Sequence, residues 1–345
     1  MSMSRLIFVP ATAAPADAGA GIAAQTTRAL ALVDERLRAA RSSLADAVVL
    51  TVYLRRAADF PAMNDAYRQV WGGLPATRTT VVTELMTDGA QVEIAAVGVP
   101  AGTERRLVHP ASWMASPNPY SYGLRTGEML FLSGLIARNG KDNTAVQGDV
   151  AAQTRVVMEN ASELLGAAGL SVAHLVSARA FLTDLKDFAE FNRVYREFVG
   201  GNPPARATVG ASLTGPAYNV EVTFVASAAA REAIEIATPN PNLSAAVKTG
   251  PSLFVSGLLA DGDAADPAGQ TRDILRKLQA LLDKAGCSRA DVRDLLVYVT
   301  DADAGRAALA VCRESFGGHV PASAVRAGLA DPAARVEIMA YAERE

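Results

Sequence analysis

The chain has 345 residues, half of them hydrophobic and a fifth charged, which excludes a largely disordered protein and predicts two to three domains. A net charge of -3 exerts no long-range pull on nucleic acid or anionic lipid. Cys287 and Cys312 form no C-x-x-C pair, and His109, His174 and His319 lack ligand spacing, so no structural zinc site is expected. Both cysteines read as ordinary buried thiols of a reducing cytoplasm. No apolar run approaches the ~18 residues of a membrane span.

In chain order, LIFVP after Arg5 reads as a strand, too short for a signal h-region. Residues 23–73 then open a block that returns at 151–201 and 268–318, with Gln25-Thr26, Gln153-Thr154 and Gln270-Thr271 in register. Each copy closes on a similar segment: AQVEIAAVGV at 90–99, YNVEVTFVAS at 218–227 and ARVEIMAYAE at 334–343. Pro- and Gly-rich stretches separate the copies, giving units of 1–100, 101–229 and 230–345.

The middle copy shows the order of elements. EMLFLSGL (128–135) is a strand ending in Ser-Gly. Val150, Gln153, Val157, Ala161, Leu164 and Ala168 recur at helical steps, and Gly169 suits the helix end. HLVSARAFLTD (174–184) carries a β-branched and aromatic strand. A second helix starts near Asp187, where Glu190 suggests a capping box, with Phe188, Phe191, Val194, Tyr195 and Phe198 as its buried stripe. ARATVGASL (205–213) and YNVEVTFVAS (218–227) close the unit as strands. The result is an α/β (α+β) unit, one sheet with two helices on one face. Its other face, with Ala207, Val209, Val220 and Val222, needs apolar cover at ~25 cal/mol per Å². Three such faces can cover one another, which predicts an intramolecular pseudo-trimer with sheets inside and helices outside.

The middle copy reads NPYS (118–121), FLSGL (131–135), FLTDLKDFAEFNRVY (181–195), PPARATV (203–209) and NVEV (219–222). Over nearly the whole copy this resembles the RidA (YjgF) family, whose fold is chorismate mutase-like. Its members form homotrimers with ligand sites at subunit interfaces, and hydrolyse enamines and imines to oxo acids without metal or organic cofactor. The resemblance implies three tandem units, a small carboxylated substrate and a monomeric pseudo-trimer, with higher assembly left open; the charge and the lack of a long apolar run argue against a nucleic-acid or membrane partner.

Carried onto this chain, the resemblance assigns Arg206 to the substrate carboxylate, Tyr120 to a hydroxyl over the ligand and Glu221 to the water or the proton. Ser133-Gly134, Asn192 and Thr208 join as substrate-binding residues. Arg78, Glu93 and Asn64 of the first copy suggest a second, altered site, although Pro10-Ala11 replaces Ser-Gly there. The third copy keeps Ser256-Gly257 and Glu337 but has Ser323 in place of Arg, Leu309 in place of Asn192, and Asn242 or Leu243 in place of Tyr120. This reading leaves the middle copy with the full set. Arg206 also fits a structural ion pair, and Glu221, recurring in every copy, also fits a fold role. Two alternatives stay open: a chorismatase-like hydrolase using Glu337, and a non-catalytic binding protein.

Overall fold

The structure is a computed structural model that describes residues 5–14, 21–236, 239–261 and 266–344. Thr238 of the TPNPNLS segment lies outside the described residues. Three segments repeat one plan. The first holds β1 (Ile7–Ala13), α1 (Ile22–Ala39), β2 (Ala47–Leu54), α2 (Phe60–Arg68), β3 (Thr77–Val82) and β4 (Val92–Gly98). The second holds β5 (Arg106–Val108), β6 (Gly123–Thr126), β7 (Met129–Leu132), β8 (Leu135–Ile136), α3 (Val150–Ala167), β9 (Leu175–Leu182), α4 (Phe188–Val199), β10 (Ala205–Gly210), β11 (Ser212–Leu213) and β12 (Val220–Ser227). The third holds β13 (Arg231–Ile234), β14 (Ala246–Thr249), β15 (Ser252–Leu258), α5 (Pro267–Ala285), β16 (Val292–Val299), α6 (Ala302–Phe316), β17 (Ala322–Arg326), β18 (Gly328–Leu329) and β19 (Val336–Glu343).

In each sheet the closing strand lies between the first and second long strands, giving β1-β4-β2-β3, β7-β12-β9-β10 and β15-β19-β16-β17. The last two strands of each run are parallel and joined through a helix. Period-2 alternation then decides what faces where. Val220, Val222 and Phe224 of β12 point at the helices and join the core under α3 and α4. Expecting Val220 and Val222 on the bare face is therefore wrong. That face carries Glu221, Thr223 and Val225 instead, while Ala207 and Val209 do pack between sheets.

The helix ends follow local chemistry. Gly169, with φ of 73°, follows the cap residue Ala168 at the end of α3, in the left-handed region that costs glycine least. The capping box at Asp187 does not form. Asp187 itself is helical (φ -76°, ψ -5°), the end of a 3₁₀ turn that runs into α4, so its side chain cannot take the extended cap position.

The sheets are stitched head to tail. β11 of the second unit adds antiparallel to β3 of the first, and β18 of the third adds to β10 of the second. The edges of β3 and β10 are thereby paired, while β17 ends its own sheet. Between the sheets, Tyr53, Phe181 and Tyr298 meet in one shared cluster, and Phe131, Val176, Phe254 and Tyr341 in another. Sheets thus lie inside and the six helices seen among the described residues lie outside.

A buried hydroxyl pair ties the first two units: Thr79 Oγ1 and Thr223 Oγ1 lie 2.6 Å apart. Thr79→Val orphans Thr223 and should lower unfolding stability by about 1–3 kcal/mol, whereas Thr79→Val with Thr223→Val should recover most of it. Denaturant unfolding of both variants reads this; additive losses would contradict the pairing.

Candidate active sites at the unit junctions

Within a unit, the Arg strand and the Glu strand are not neighbours. In the second sheet Ala178 of β9 pairs Arg206 and Phe181 of β9 pairs Glu221. The two residues are separated by roughly 10 Å across the sheet and a similar distance along it. Each Arg instead lies on the edge strand that meets the next unit.

At the first junction, Arg78 of β3 meets Ser133, Gly134, Tyr120 and Glu221 of the second unit. Ser133 Oγ accepts from Arg78 N at 2.8 Å and donates to Ser121 O at 2.7 Å. Gly134 N donates to Arg78 O at 3.1 Å. The Arg78 guanidinium stacks on Tyr67 at 4.8 Å and on Tyr120 at 5.2 Å from the ring centroids. Asn64 Nδ2 donates to Asn118 Oδ1 at 3.2 Å on the same side. Arg78 is only 4% exposed, yet its Nη1 has no hydrogen-bond partner, and the Thr80 hydroxyl is likewise buried and unpaired. A buried cation with an unused donor is costly unless an anion completes it.

Glu221 lies opposite, pushed up to about 8 by burial. The Thr80 backbone N–H, Arg78 and Arg179 pull the other way. Burial thus favours the protonated form of Glu221 well above the usual carboxylate range. The side chain fits because residue 134 is glycine: a Cβ there would come within 1.8 Å of Glu221 Oε1.

The second junction repeats this with Arg206 of β10 against the third unit. Ser256 Oγ accepts from Arg206 N at 2.7 Å. Arg206 Nη2 donates to Asn192 Oδ1 at 2.6 Å, and the guanidinium lies 4.6 Å over Tyr195. Its Nε and Nη1 have no hydrogen-bond partner, and neither has the buried Thr208 hydroxyl. Burial pushes Glu337 up to about 8, with Arg206 acting against it. Gly257 leaves the room, since a Cβ there would come within 1.8 Å of Glu337 Oε1. By sequence, Asn242 or Leu243 stands for Tyr120 here.

The third junction, between the third and first units, has no guanidinium at this position. Ser323 Oγ accepts from Ala11 N at 2.8 Å. Ala11 brings the Cβ that the other two junctions lack, and Glu93 turns aside to accept from Thr87 N at 2.8 Å.

The structure therefore regroups the residues singled out in the sequence. Tyr120, Ser133, Gly134 and Glu221 gather with Arg78 and Asn64. Arg206, Asn192 and Thr208 gather with Ser256, Gly257 and Glu337. Glu93 stands apart from Arg78 and Asn64. The set expected within the middle copy is split because a sheet places its edge Arg away from its own Glu. The missed partnerships, Arg78 with Glu221 and Arg206 with Glu337, were signalled by head-to-tail repetition. Among the described residues no group of three or more His, Cys, Asp or Glu could hold a metal, and no helix is long and apolar enough to cross a membrane.

The family profile described as Endoribonuclease L-PSP matches three segments of the chain, 9–99, 111–228 and 234–344. Protein DfrA of Myxococcus xanthus is 42% identical over 124 residues, which is 35% of this chain and 95% of that protein. A 2-iminobutanoate/2-iminopropanoate deaminase of Homo sapiens is 28% identical over 122 residues, 35% of this chain and 89% of its own length. The solved structure of the YjgF gene product from E. coli is 31% identical, covers 36% of this chain and 98% of its own, with a TM-score of 0.34.

The two raised carboxyls have a consequence for stability. Each binds its proton more tightly folded than unfolded. Their contribution is complete below about pH 4.5 and is lost as pH rises toward 8. Thermal melting between about pH 5 and 8 should show Tm falling more steeply for the wild type than for Glu221→Gln with Glu337→Gln. Equal slopes would contradict the raised values.

Proposed function

The chain belongs to the RidA family, described as Endoribonuclease L-PSP, in three tandem copies, and from that membership we propose that it hydrolyses small carboxylated imines or enamines to oxo acids and ammonia. One observation carries the reading. At the first junction a buried guanidinium with an unused donor faces a buried carboxyl whose proton is held well above the usual carboxylate range. The name of the human relative supports the same chemistry.

In this mechanism Arg78 binds the substrate carboxylate through its free nitrogen, and Tyr67 and Tyr120 hold the guanidinium plane between rings. Neutral Glu221 gives its proton to the enamine carbon, converting enamine to imine. The carboxylate so formed takes a proton from water as the water oxygen adds to the imine carbon. It returns that proton to nitrogen, and as the carbinolamine C–N bond breaks it takes up the hydroxyl proton, so the carbonyl forms, ammonia leaves and Glu221 is neutral again. Water and imine enter; oxo acid and ammonia leave. Tyr120 offers its hydroxyl beside the reacting carbon. No strong nucleophile is needed.

The second junction keeps the anion grip, the acid and a ring over the guanidinium but lacks a counterpart of Tyr120, which favours binding of the same carboxylate class over turnover. RNA cleavage is disfavoured by the net charge of -3.

The test is ammonia release from 2-iminopropanoate generated in situ. Arg78→Ala should lower kcat/KM about 100-fold, roughly 2.7 kcal/mol, while Arg206→Ala should change it less than about threefold. Activity should fall above about pH 8 as Glu221 loses its proton. An undiminished rate in Arg78→Ala would sink the proposal.

A further inference from the structure

Besides the junction sites, one chamber draws on all three units at matching positions. Its volume is about 140 Å³. Thr51 of β2, Arg179 of β9 and Leu296 of β16 line it, as do Val49, Ser177 and Asp294 two residues earlier on the same strands. Matching residues can share one space only where the three sheets meet, on the pseudo-threefold axis. The lining is otherwise largely apolar, with Phe8, Phe131 and Phe254 from the three first strands of the sheets.

The charges here break the threefold symmetry. Arg179 has Thr and Leu as its counterparts, and Asp294 has Val and Ser. Arg179 Nη2 donates to Thr51 Oγ1 at 3.1 Å. Arg179 and Asp294 both line the chamber, and their interaction is through space, not a closed ion pair. Two opposite charges in an apolar enclosure should collapse together unless something between them repays the separation. Burial pushes Asp294 up to about 7, against the pull of Arg179, as expected for a carboxylate short of a cationic partner.

We propose that the axial chamber binds a small α-amino acid with an apolar side chain, its carboxylate on Arg179, its ammonium on Asp294 and its side chain among the three phenylalanines. The volume suits this, since a cavity of about 150 Å³ accepts a benzene-sized guest. Its anion grip, Arg179, differs from those of the junctions, Arg78 and Arg206, although Arg179 also acts through space on Glu221 of the first junction. A homotrimer of identical units could not build it, because each charge would appear three times. Fusion into one chain permits a single Arg facing a single Asp.

The test is titration calorimetry on the full chain carrying Arg78→Met and Arg206→Met, with L-valine, 3-methylbutanoate and 2-methylpropylamine as probes. L-valine should bind with a single equivalent, and each half-molecule at least about tenfold more weakly, since each leaves one buried charge unpaired. Adding Arg179→Met, or Asp294→Asn, should weaken L-valine binding by about tenfold or more. A measurement on wild-type protein needs no substitution: nuclear Overhauser contacts should run from the valine methyls to the rings of Phe131 and Phe254. No L-valine binding, equal affinity for the half-molecules, affinity unchanged by Arg179→Met, or contacts only to Tyr120 and Tyr195 would each overturn the proposal.

Discussion

A sheet of order β1-β4-β2-β3 cannot bring its own Arg to its own Glu, and the rest of the molecule depends on that constraint. The edge strand bearing Arg78 is two strands removed from β4, with Leu50 opposite Arg78 and Tyr53 opposite Glu93 on the strand between them. The guanidinium therefore meets a carboxyl only across a seam. β11 added to β3 and β18 added to β10 hold two seams in register. The serine hydroxyls of Ser133 and Ser256 fix the backbones of Arg78 and Arg206 to the facing unit. Burial then raises the opposing carboxyls and leaves the guanidinium donors unspent.

Fusion of the units has let the seams diverge by single residues whose effects are steric or electrostatic. Gly134 and Gly257 each leave space for a carboxyl oxygen that a Cβ would occupy. Ala11 fills the matching space, Ser323 supplies no charge, and Glu93 is spent on a backbone N–H. The second seam differs from the first mainly by lacking Tyr120: Arg78 lies over Tyr67, Phe60 and Tyr120, while Arg206 lies over Tyr195 and Phe191 alone. The same loss of symmetry reaches the axis, where Thr51, Arg179 and Leu296 share a chamber.

Much of the fold was legible because it is written in local periodicity. The helical spacing from Val150 onward became α3, and Gly169 sits where left-handed backbone follows it. The threefold repeat predicted sheets inside and helices outside. Four things were not legible. The Asp187 cap depended on a 3₁₀ turn that spacing does not reveal. The face of Val220 and Val222 depended on strand phase, which a run of Val, Val and Phe leaves open until Glu221 is placed. The site membership depended on which copy faces which, information that resides in tertiary packing. Reading each copy as self-contained put Arg206 with Glu221, although sites at interfaces require residues from neighbouring units. Arg179 and Asp294 escaped because nothing at their positions in the other copies is charged.

Each site takes its anion grip from one unit and its acid from the next. A crystal structure of the chain soaked with 2-oxobutanoate tests it directly. A carboxylate is expected on Arg78 with the oxo carbon beside Glu221 and Tyr120, a second molecule on Arg206 beside Glu337, and none against Ser323. A molecule bridging Arg206 and Glu221, or one seated at Ser323 while Arg78 stays bare, would contradict it.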